Sequence, residues 1–129
     1  MAAFMQPFAP QTYALMRIIV GLLFMSHGLS KLVGWPVPMP EGAPPAIVYS
    51  AGPIEAIGGA LIAAGLFTRW AAFVCSGQMA VAYWMAHGLK AWHPAVNGGE
   101  MAVLYCFVFL FIAAYGAGIW SADASRGAS

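Results

Sequence analysis

Charged side chains are scarce in this chain. Its 129 residues include five Lys or Arg and four Asp or Glu, whereas 62% of the residues are hydrophobic. Charged residues make up about a quarter of an ordinary globular chain, and a soluble domain of this size could not cover its surface with so few. The composition therefore excludes a soluble globule and predicts a protein of the lipid bilayer.

Cysteines and recognisable sequence motifs are also few. Cys75 and Cys106 fall at different depths of two predicted membrane spans, on the order of 10 Å apart along the membrane normal at ~1.5 Å per residue. A disulfide needs Cα atoms within about 7 Å, so none is expected. No P-loop, dinucleotide fingerprint or nucleophile elbow is present. The basic residues are scattered and the net charge is +1, which argues against a nucleic-acid partner.

Metal-ligand spacing is missing as well. The three histidines, His27, His87 and His93, form neither an HxxxH nor an HExxH pattern, and such spacings are what mark a zinc site on a helix. A His/carboxylate metal site and a bis-histidine haem remain minor alternatives. We therefore expect no metal and no intrinsic cofactor.

Long apolar runs are what the chain does contain. Four of them approach the ~20 residues that a helix needs to span the bilayer, and they cover residues 13–33, 46–67, 70–89 and 99–115. The prediction is an all-α fold, a four-helix transmembrane bundle of antiparallel up-down topology. The whole chain, residues 1–129, forms one membrane domain with a loose tail over 121–129. Small residues such as Gly59 and Ala63 should let the second span pack closely at the centre of the bundle.

Ionisable side chains collect at one end of these predicted spans. In an alternating bundle, the ends of the first and third spans share a membrane face with the starts of the second and fourth. Ionisable groups at membrane depth are costly and indicate a functional site. We take Glu55 and Glu100 as candidate proton acceptors, and the candidate ligand-binding residues are His27, Lys31, His87 and Tyr83. A flat apolar molecule with polar ends, such as a quinone, suits this arrangement.

Helix capping offers a structural alternative for the same residues. Pro53 predicts a helix start just before Glu55, and Asn97 to Glu100 has the spacing of a capping box. Carboxylates are favourable at helix N-termini and cations at C-termini. On this interpretation the charged end stabilises helices and binds nothing.

Two residues at the opposite face have the wrong sign for their own helix ends. Arg17 lies near the start of the first helix, and Asp123 follows the end of the fourth. We expect them to form a structural pair that joins the first and last helices. Arg17, Arg69 and Arg126 together mark this face, so the positive-inside rule favours cytoplasmic termini.

Five sequence pieces occur in the four predicted spans and just after the last one. They are RIIVGLLFMSHGLSKL (17–32), PIEAIGGALIAAGLFTRW (53–70), QMAVAYWMAH (78–87), NGGEMAVLYCFVFLF (97–111) and GIWSAD (118–123). Together these pieces resemble the DoxX family of small bacterial four-helix membrane proteins. They occur in order and cover most of the chain.

The resemblance implies a multi-pass protein of the bacterial inner membrane and a quinone-linked or redox-associated membrane subunit. If catalytic, it would be part of a quinone-dependent oxidoreductase and would need a partner. Quinone is the ligand implied, and the partners implied are the lipid bilayer with a redox protein or a second copy of the chain. A non-catalytic scaffold that stabilises another complex is the alternative. A small-molecule or proton transporter ranks last, because no inverted repeat is visible.

Overall fold

The structure, a computed structural model, describes residues 3–128. Over that range the chain is all-α, with no strand. The helices are α1 Ala9–Val33, α2 Pro45–Ala64, α3 Thr68–Tyr83, α4 Pro94–Asn97, α5 Glu100–Tyr115 and α6 Ala122–Ser125. A 3₁₀ segment, Ala3–Phe8, precedes α1, and a π-helical turn, Trp84–Gly88, extends α3.

Two of the four predicted spans are long and apolar enough to cross a membrane. They are Ala3–Val33, which combines the 3₁₀ segment with α1, and α2. Helix α5 is apolar but shorter, with 16 residues, or about 24 Å at 1.5 Å per residue. Helix α3 also has 16 residues before the π-helical turn continues it.

Helices α1 and α2 pack with their backbones in contact. A Cβ atom added to Gly28 would lie 2.2 Å from the backbone nitrogen of Ala56, and one added to Gly59 would lie 2.4 Å from that of Met25. Gly21 meets the backbone of Ala63 in the same way, at 2.5 Å. Approach this close is possible only where both helices carry small residues. The small residues of the second span thus have the packing role that the sequence predicts.

Side-chain contacts join the remaining helices. The Ser76 hydroxyl of α3 donates to the carbonyl oxygen of Cys106 in α5, at 2.7 Å. Between α1 and α5, the ring of Phe24 lies 5.3 Å from that of Tyr105 and 4.7 Å from that of Phe109. Both cysteines are free thiols. The core therefore lies between α1, α2, α3 and α5.

Arg17 and Asp123 do not form the direct ion pair expected from the sequence. Arg17 is fully buried and donates to the carbonyl oxygens of Ile62 and Ala63, both at 2.8 Å, and to those of Ile119 and Trp120. The carboxylate of Asp123 instead accepts from the backbone N–H groups of Phe67 and Thr68 and from the Thr68 hydroxyl. Arg17 thus lies at the C-terminal end of α2 and Asp123 at the N-terminal start of α3, where charges of these signs are favourable.

The first part of the predicted loose tail is ordered. Helix α6 occupies Ala122–Ser125, its N-cap Ser121 accepts from the Ala124 N–H, and Asp123 is buried. The prediction of a loose tail over 121–129 is wrong for these residues, because the bonds of Asp123 attach α6 to the start of α3. Ser129 lies outside the described residues.

Because the Asp123 carboxylate accepts three hydrogen bonds, the stability of the fold is expected to depend on pH. Burial raises the pKa of this carboxyl group. The hydrogen bonds from Thr68 and Phe67 and the charge of Arg126 together lower the pKa by more than burial raises it, so the pKa lies below its ordinary value of 3.8. A lowered folded-state pKa stabilises the fold above the ordinary value, and that stabilisation is lost as pH falls through the folded-state pKa.

We therefore expect Asp123→Asn to lower the free energy of unfolding at pH 7 by about 1–3 kcal/mol. The difference in melting temperature between wild type and variant in detergent should shrink below about pH 4. A difference that stays constant down to pH 2 would contradict a stabilising role for the ionised carboxylate.

Candidate functional site

Glu55 is a buried carboxylate in the middle of α2, with 3% of its surface exposed. One of its oxygens lies 2.6 Å from the ammonium nitrogen of Lys31 in α1. The other accepts a hydrogen bond of 3.1 Å from the side-chain amide of Gln78 in α3. Lys31 to Glu55 is the single ion pair within residues 3–128. A buried charge must be paired and hydrogen-bonded, and Glu55 meets that condition with partners from two other helices.

Small residues make the approach of Lys31 possible. Lys31 lies in the last turn of α1, one turn beyond the Gly28 contact with α2. A Cβ atom on Gly52, one turn before Glu55, would lie 3.3 Å from the Cβ atom of Lys31 and 2.9 Å from the Leu32 side chain. The close helix packing thus carries the Lys31 side chain, 15% exposed, to the carboxylate.

Helix capping does not account for Glu55. Helix α2 begins at Pro45, with Pro53 inside it, so the predicted helix start at Pro53 is wrong. Glu55 lies more than two turns into the helix, and the dipole effect falls off within the first turn. A proline inside a membrane helix is tolerated when neighbouring groups satisfy the backbone. Helix capping therefore does not explain why a buried carboxylate occurs at this position of α2.

Glu100 fits the capping interpretation. It is the first residue of α5, its side chain is exposed, and it does not line the cavity described below. The predicted capping box is not formed in full: the α5 N-cap is Gly99, whose N–H donates to the Asn97 side-chain oxygen at 2.8 Å. The two glutamates that the sequence groups together are therefore separated by the fold.

A cavity of about 330 Å³ opens beside the Lys31–Glu55 pair. Helices α1, α2, α3 and α5 all contribute to its wall, together with the π-helical turn. Most of its lining is apolar or aromatic, with a few convergent polar groups, as in typical small-molecule sites. The lining residues are Phe24, His27, Lys31, Met39, Ile47, Ala51, Glu55, Gln78, Met79, Ala82, Ala86, His87, Met101, Ala102 and Tyr105.

Two buried polar atoms of this lining lack a hydrogen-bond partner within the described chain. They are the hydroxyl oxygen of Tyr105 and the side-chain carbonyl oxygen of Gln78. Tyr105 is only 7% exposed, and its ring stacks on Phe109. Buried polar groups are almost always satisfied, and each unsatisfied one needs an explanation. A ligand that accepts a hydrogen bond from Tyr105 would supply one.

Both predicted histidines of the ligand set line the cavity. The His27 ring meets the Tyr105 ring edge to face, with centroids 5.9 Å apart. His87 lies in the π-helical turn, a geometry frequent at functional sites, and its Nδ1 atom is 3.1 Å from the Asn97 carbonyl oxygen. The structure therefore brings His27, Lys31, Glu55 and His87 to one cavity.

Tyr83 was predicted to bind the ligand, but it does not line the cavity. Its hydroxyl accepts a hydrogen bond of 2.9 Å from the Asn97 side-chain amide. Tyr105 is the tyrosine of the cavity. Gln78 was missed because the search started from charged residues, and Tyr105 was missed because helical spacing alone does not show which tyrosine reaches the cavity. A lone glutamine inside an apolar span is the signal that could have found Gln78.

Possible metal ligands are spread out in the part of the chain that the structure describes. No group of three or more His, Cys, Asp or Glu side chains lies close enough to hold an ion there. The chemistry available at the cavity is therefore that of a proton-accepting carboxylate, an ammonium group, a phenol and two imidazoles.

Comparison with known proteins gives a family and one relative. The DoxX family model matches residues 12–88. A protein of Haemophilus influenzae described as uncharacterized is 37% identical over 125 residues, which covers 92% of this chain and 93% of the relative. No solved structure matches the chain. Lys31, Glu55, Gln78 and His87 all fall within the matched residues of the family model.

Proposed function

Because this membrane protein belongs to the DoxX family, we propose that it is a quinone-linked subunit whose cavity beside Glu55 binds a quinone head group. The observation that carries the proposal is the unpartnered hydroxyl of Tyr105, a buried hydrogen-bond donor on a residue that lines the cavity. The volume of about 330 Å³ lies at the lower end of the range for small-molecule sites.

The proposed setting is a four-helix antiparallel bundle in the bacterial inner membrane, with cytoplasmic termini. Helices α1, α2, α3 and α5 would be the four passes, and their contacts run in opposite order along each pair. Gly21 meets Ala63, whereas Gly28, later in α1, meets Ala56 earlier in α2. Between α2 and α3, Glu55 meets Gln78, whereas the later Gly58 meets the earlier Cys75. Between α3 and α5, Arg69 meets Ala113, whereas the later Ser76 meets the earlier Cys106. Close packing of small residues is the usual means of helix association in lipid.

The cavity residues fit a molecule with carbonyl oxygens on a flat ring. Such oxygens only accept hydrogen bonds, and the Tyr105 hydroxyl is a free donor. The Lys31 ammonium group has three N–H donors, and the single hydrogen bond to Glu55 leaves two of them. The aromatic rings of Phe24 and Tyr105 supply apolar walls. These groups would hold the head group and orient it.

A bound quinone accepts two electrons and two protons. The electrons would come from a redox partner protein, since no group of three or more His, Cys, Asp or Glu side chains in the described residues could hold a redox metal and the sequence shows no dinucleotide fingerprint. Within this chain, Glu55 would hold a proton at a carboxylate oxygen, and Lys31 would keep that carboxylate in place. His27 and His87 line the same cavity and would exchange protons with its mouth.

Two tyrosines provide a test of this proposal. Tyr105→Phe removes the free donor, and we expect it to weaken binding of a tail-free benzoquinone analogue about three- to tenfold, the usual worth of one hydrogen bond. Tyr83→Phe makes the same chemical change outside the cavity and should leave affinity unchanged. Titration calorimetry of the detergent-purified proteins measures both. Wild-type protein that does not bind the analogue, or equal affinity in all three proteins, would refute the proposed site.

The alternative function, a non-catalytic scaffold, has one observation in its favour. Glu55 contacts Lys31 in α1 and Gln78 in α3, so the cluster also clamps three helices together. A scaffold predicts that variants of this cluster change abundance or assembly only. The paired substitution of Lys31 and Glu55 described in the Discussion separates the two functions.

A further inference from the structure

Two open grooves between α2 and α3 adjoin the cavity beside Glu55, and together they form what we call the seam. A first groove of about 440 Å³ shares Ile47, Ala51, Gln78, Ala82 and Ala86 with the cavity lining. A second groove of about 380 Å³ shares Ile54 and Val74 with the first. The cavity and the two grooves therefore adjoin one another, in that order, along α2 and α3.

The walls of the seam suit a hydrocarbon chain. Neither groove is lined by a charged side chain, and Ser50 and Gln78 are the polar residues of the first groove. At Gly77 the seam is open, because an added Cβ atom would meet nothing within 4 Å. The second groove ends beside Phe67 and Trp70. Eight residues of α3 separate Gln78 from Trp70, which is about 12 Å along the helix.

Gln78 lies where the path changes from polar to apolar. Its side chain lines both the cavity and the first groove, and its amide donates to Glu55 while its carbonyl oxygen has no partner within the described residues. A molecule with a polar head at Glu55 and an apolar tail in the seam would pass Gln78 where the two parts join.

Resting on the proposed function, we infer that the α2–α3 seam holds the isoprenoid tail of the quinone whose head group lies beside Glu55. The ligand enters sideways from the bilayer, between α2 and α3, and the protein selects quinones that carry a tail. Burial of apolar surface in the seam adds affinity in proportion to the area removed from water. Membrane lipid is the competing occupant, and its acyl chains would bind in the seam whether or not the head-group cavity is occupied.

Gly77 allows the seam to be filled without disturbing the protein. Gly77→Phe places a ring in open space, and Val81→Phe, on the same helix, enlarges an exposed residue that lines the first groove. Leu104→Phe enlarges an exposed side chain of α5 outside both grooves and serves as the matched control. Affinity is measured by titration calorimetry for two compounds, the tail-free benzoquinone analogue and the same head group with two isoprene units, each corrected for its partition into detergent.

We expect wild type and Leu104→Phe to bind the prenylated compound at least tenfold more tightly than the tail-free one. Gly77→Phe and Val81→Phe should lose that advantage and keep the tail-free affinity within about twofold. A prenyl advantage that survives in both seam variants would overturn the inference and leave the head-group site intact. So would a wild type without any prenyl advantage, as expected if the seam holds only lipid. Failure of wild type to bind either compound would overturn the proposed function, and the inference with it.

Discussion

Gly28→Leu is expected to separate α1 from α2 and to cause a large loss of stability. Even the Cβ atom of an alanine at this position would lie 2.2 Å from the backbone nitrogen of Ala56 and 2.6 Å from the carbonyl oxygen of Gly52. Backbone atoms cannot rotate aside as a side chain can, so the helices must move apart. Overpacking in a close-packed interior typically costs about 1–3 kcal/mol, and this site lies at the upper end or beyond.

The matched control is Gly77, a glycine inside α3. Gly28→Ala and Gly77→Ala are the same chemical change, but an added Cβ atom at Gly77 meets nothing within 4 Å. Helix propensity alone favours alanine over glycine by about 1 kcal/mol. We expect Gly77→Ala to keep or raise the melting temperature in detergent, whereas Gly28→Ala lowers it and Gly28→Leu prevents folding. Equal melting temperatures for the two alanine variants would show that α1 and α2 do not pack as described.

The second large effect is expected at the buried ion pair. Glu55→Leu leaves the Lys31 ammonium group without its carboxylate, and breaking a buried pair from one side costs about 3–5 kcal/mol. Lys31→Met together with Glu55→Leu removes both charges and replaces them with apolar groups, which is often neutral or stabilising. We therefore expect the single variant to fold poorly and the double variant to regain most of the wild-type stability. Chemical denaturation in mixed micelles measures all three proteins.

The control for this comparison of the single and double variants is Glu100→Leu. Glu100 is exposed at the first turn of α5 and has no ion-pair partner within residues 3–128, so its loss should change stability by about 0.5 kcal/mol or less. A double variant as unstable as Glu55→Leu would show that the ion pair itself, and not the avoidance of an unpaired charge, stabilises the fold. The restored double variant then permits a test of function without loss of structure.

Much of this account could be predicted from the sequence. Composition and apolar runs predicted the all-α class, and the ordered motif pieces predicted the family. The charged end was predicted as a cluster, and the structure gathers His27, Lys31, Glu55 and His87 at one cavity. A grouping of this kind is expected because the cost of a charge in lipid restricts where a charged residue can lie.

The errors arose where the outcome depends on a neighbouring helix. Pro53 is a frequent helix start, but in a membrane helix it also occurs in the interior, so α2 begins eight residues earlier than that signal suggested. Helical spacing alone cannot choose between Tyr83 and Tyr105, because only the packed helices decide which tyrosine reaches the cavity. Arg17 and Asp123 were expected to pair by opposite charge, yet each caps the end of a different helix. Such caps involve backbone groups, which the sequence does not display.

Extraction of bound quinone tests the central claim most directly. Wild type, the Lys31→Met/Glu55→Leu double variant and Glu100→Gln would be purified gently from the native membrane, extracted with solvent and analysed by mass spectrometry. The account predicts close to one quinone per protein in wild type and Glu100→Gln, and none in the folded double variant. Equal quinone content in all three proteins, or none in any of them, would contradict a quinone site at Glu55 and favour a scaffold held together by its ion pair.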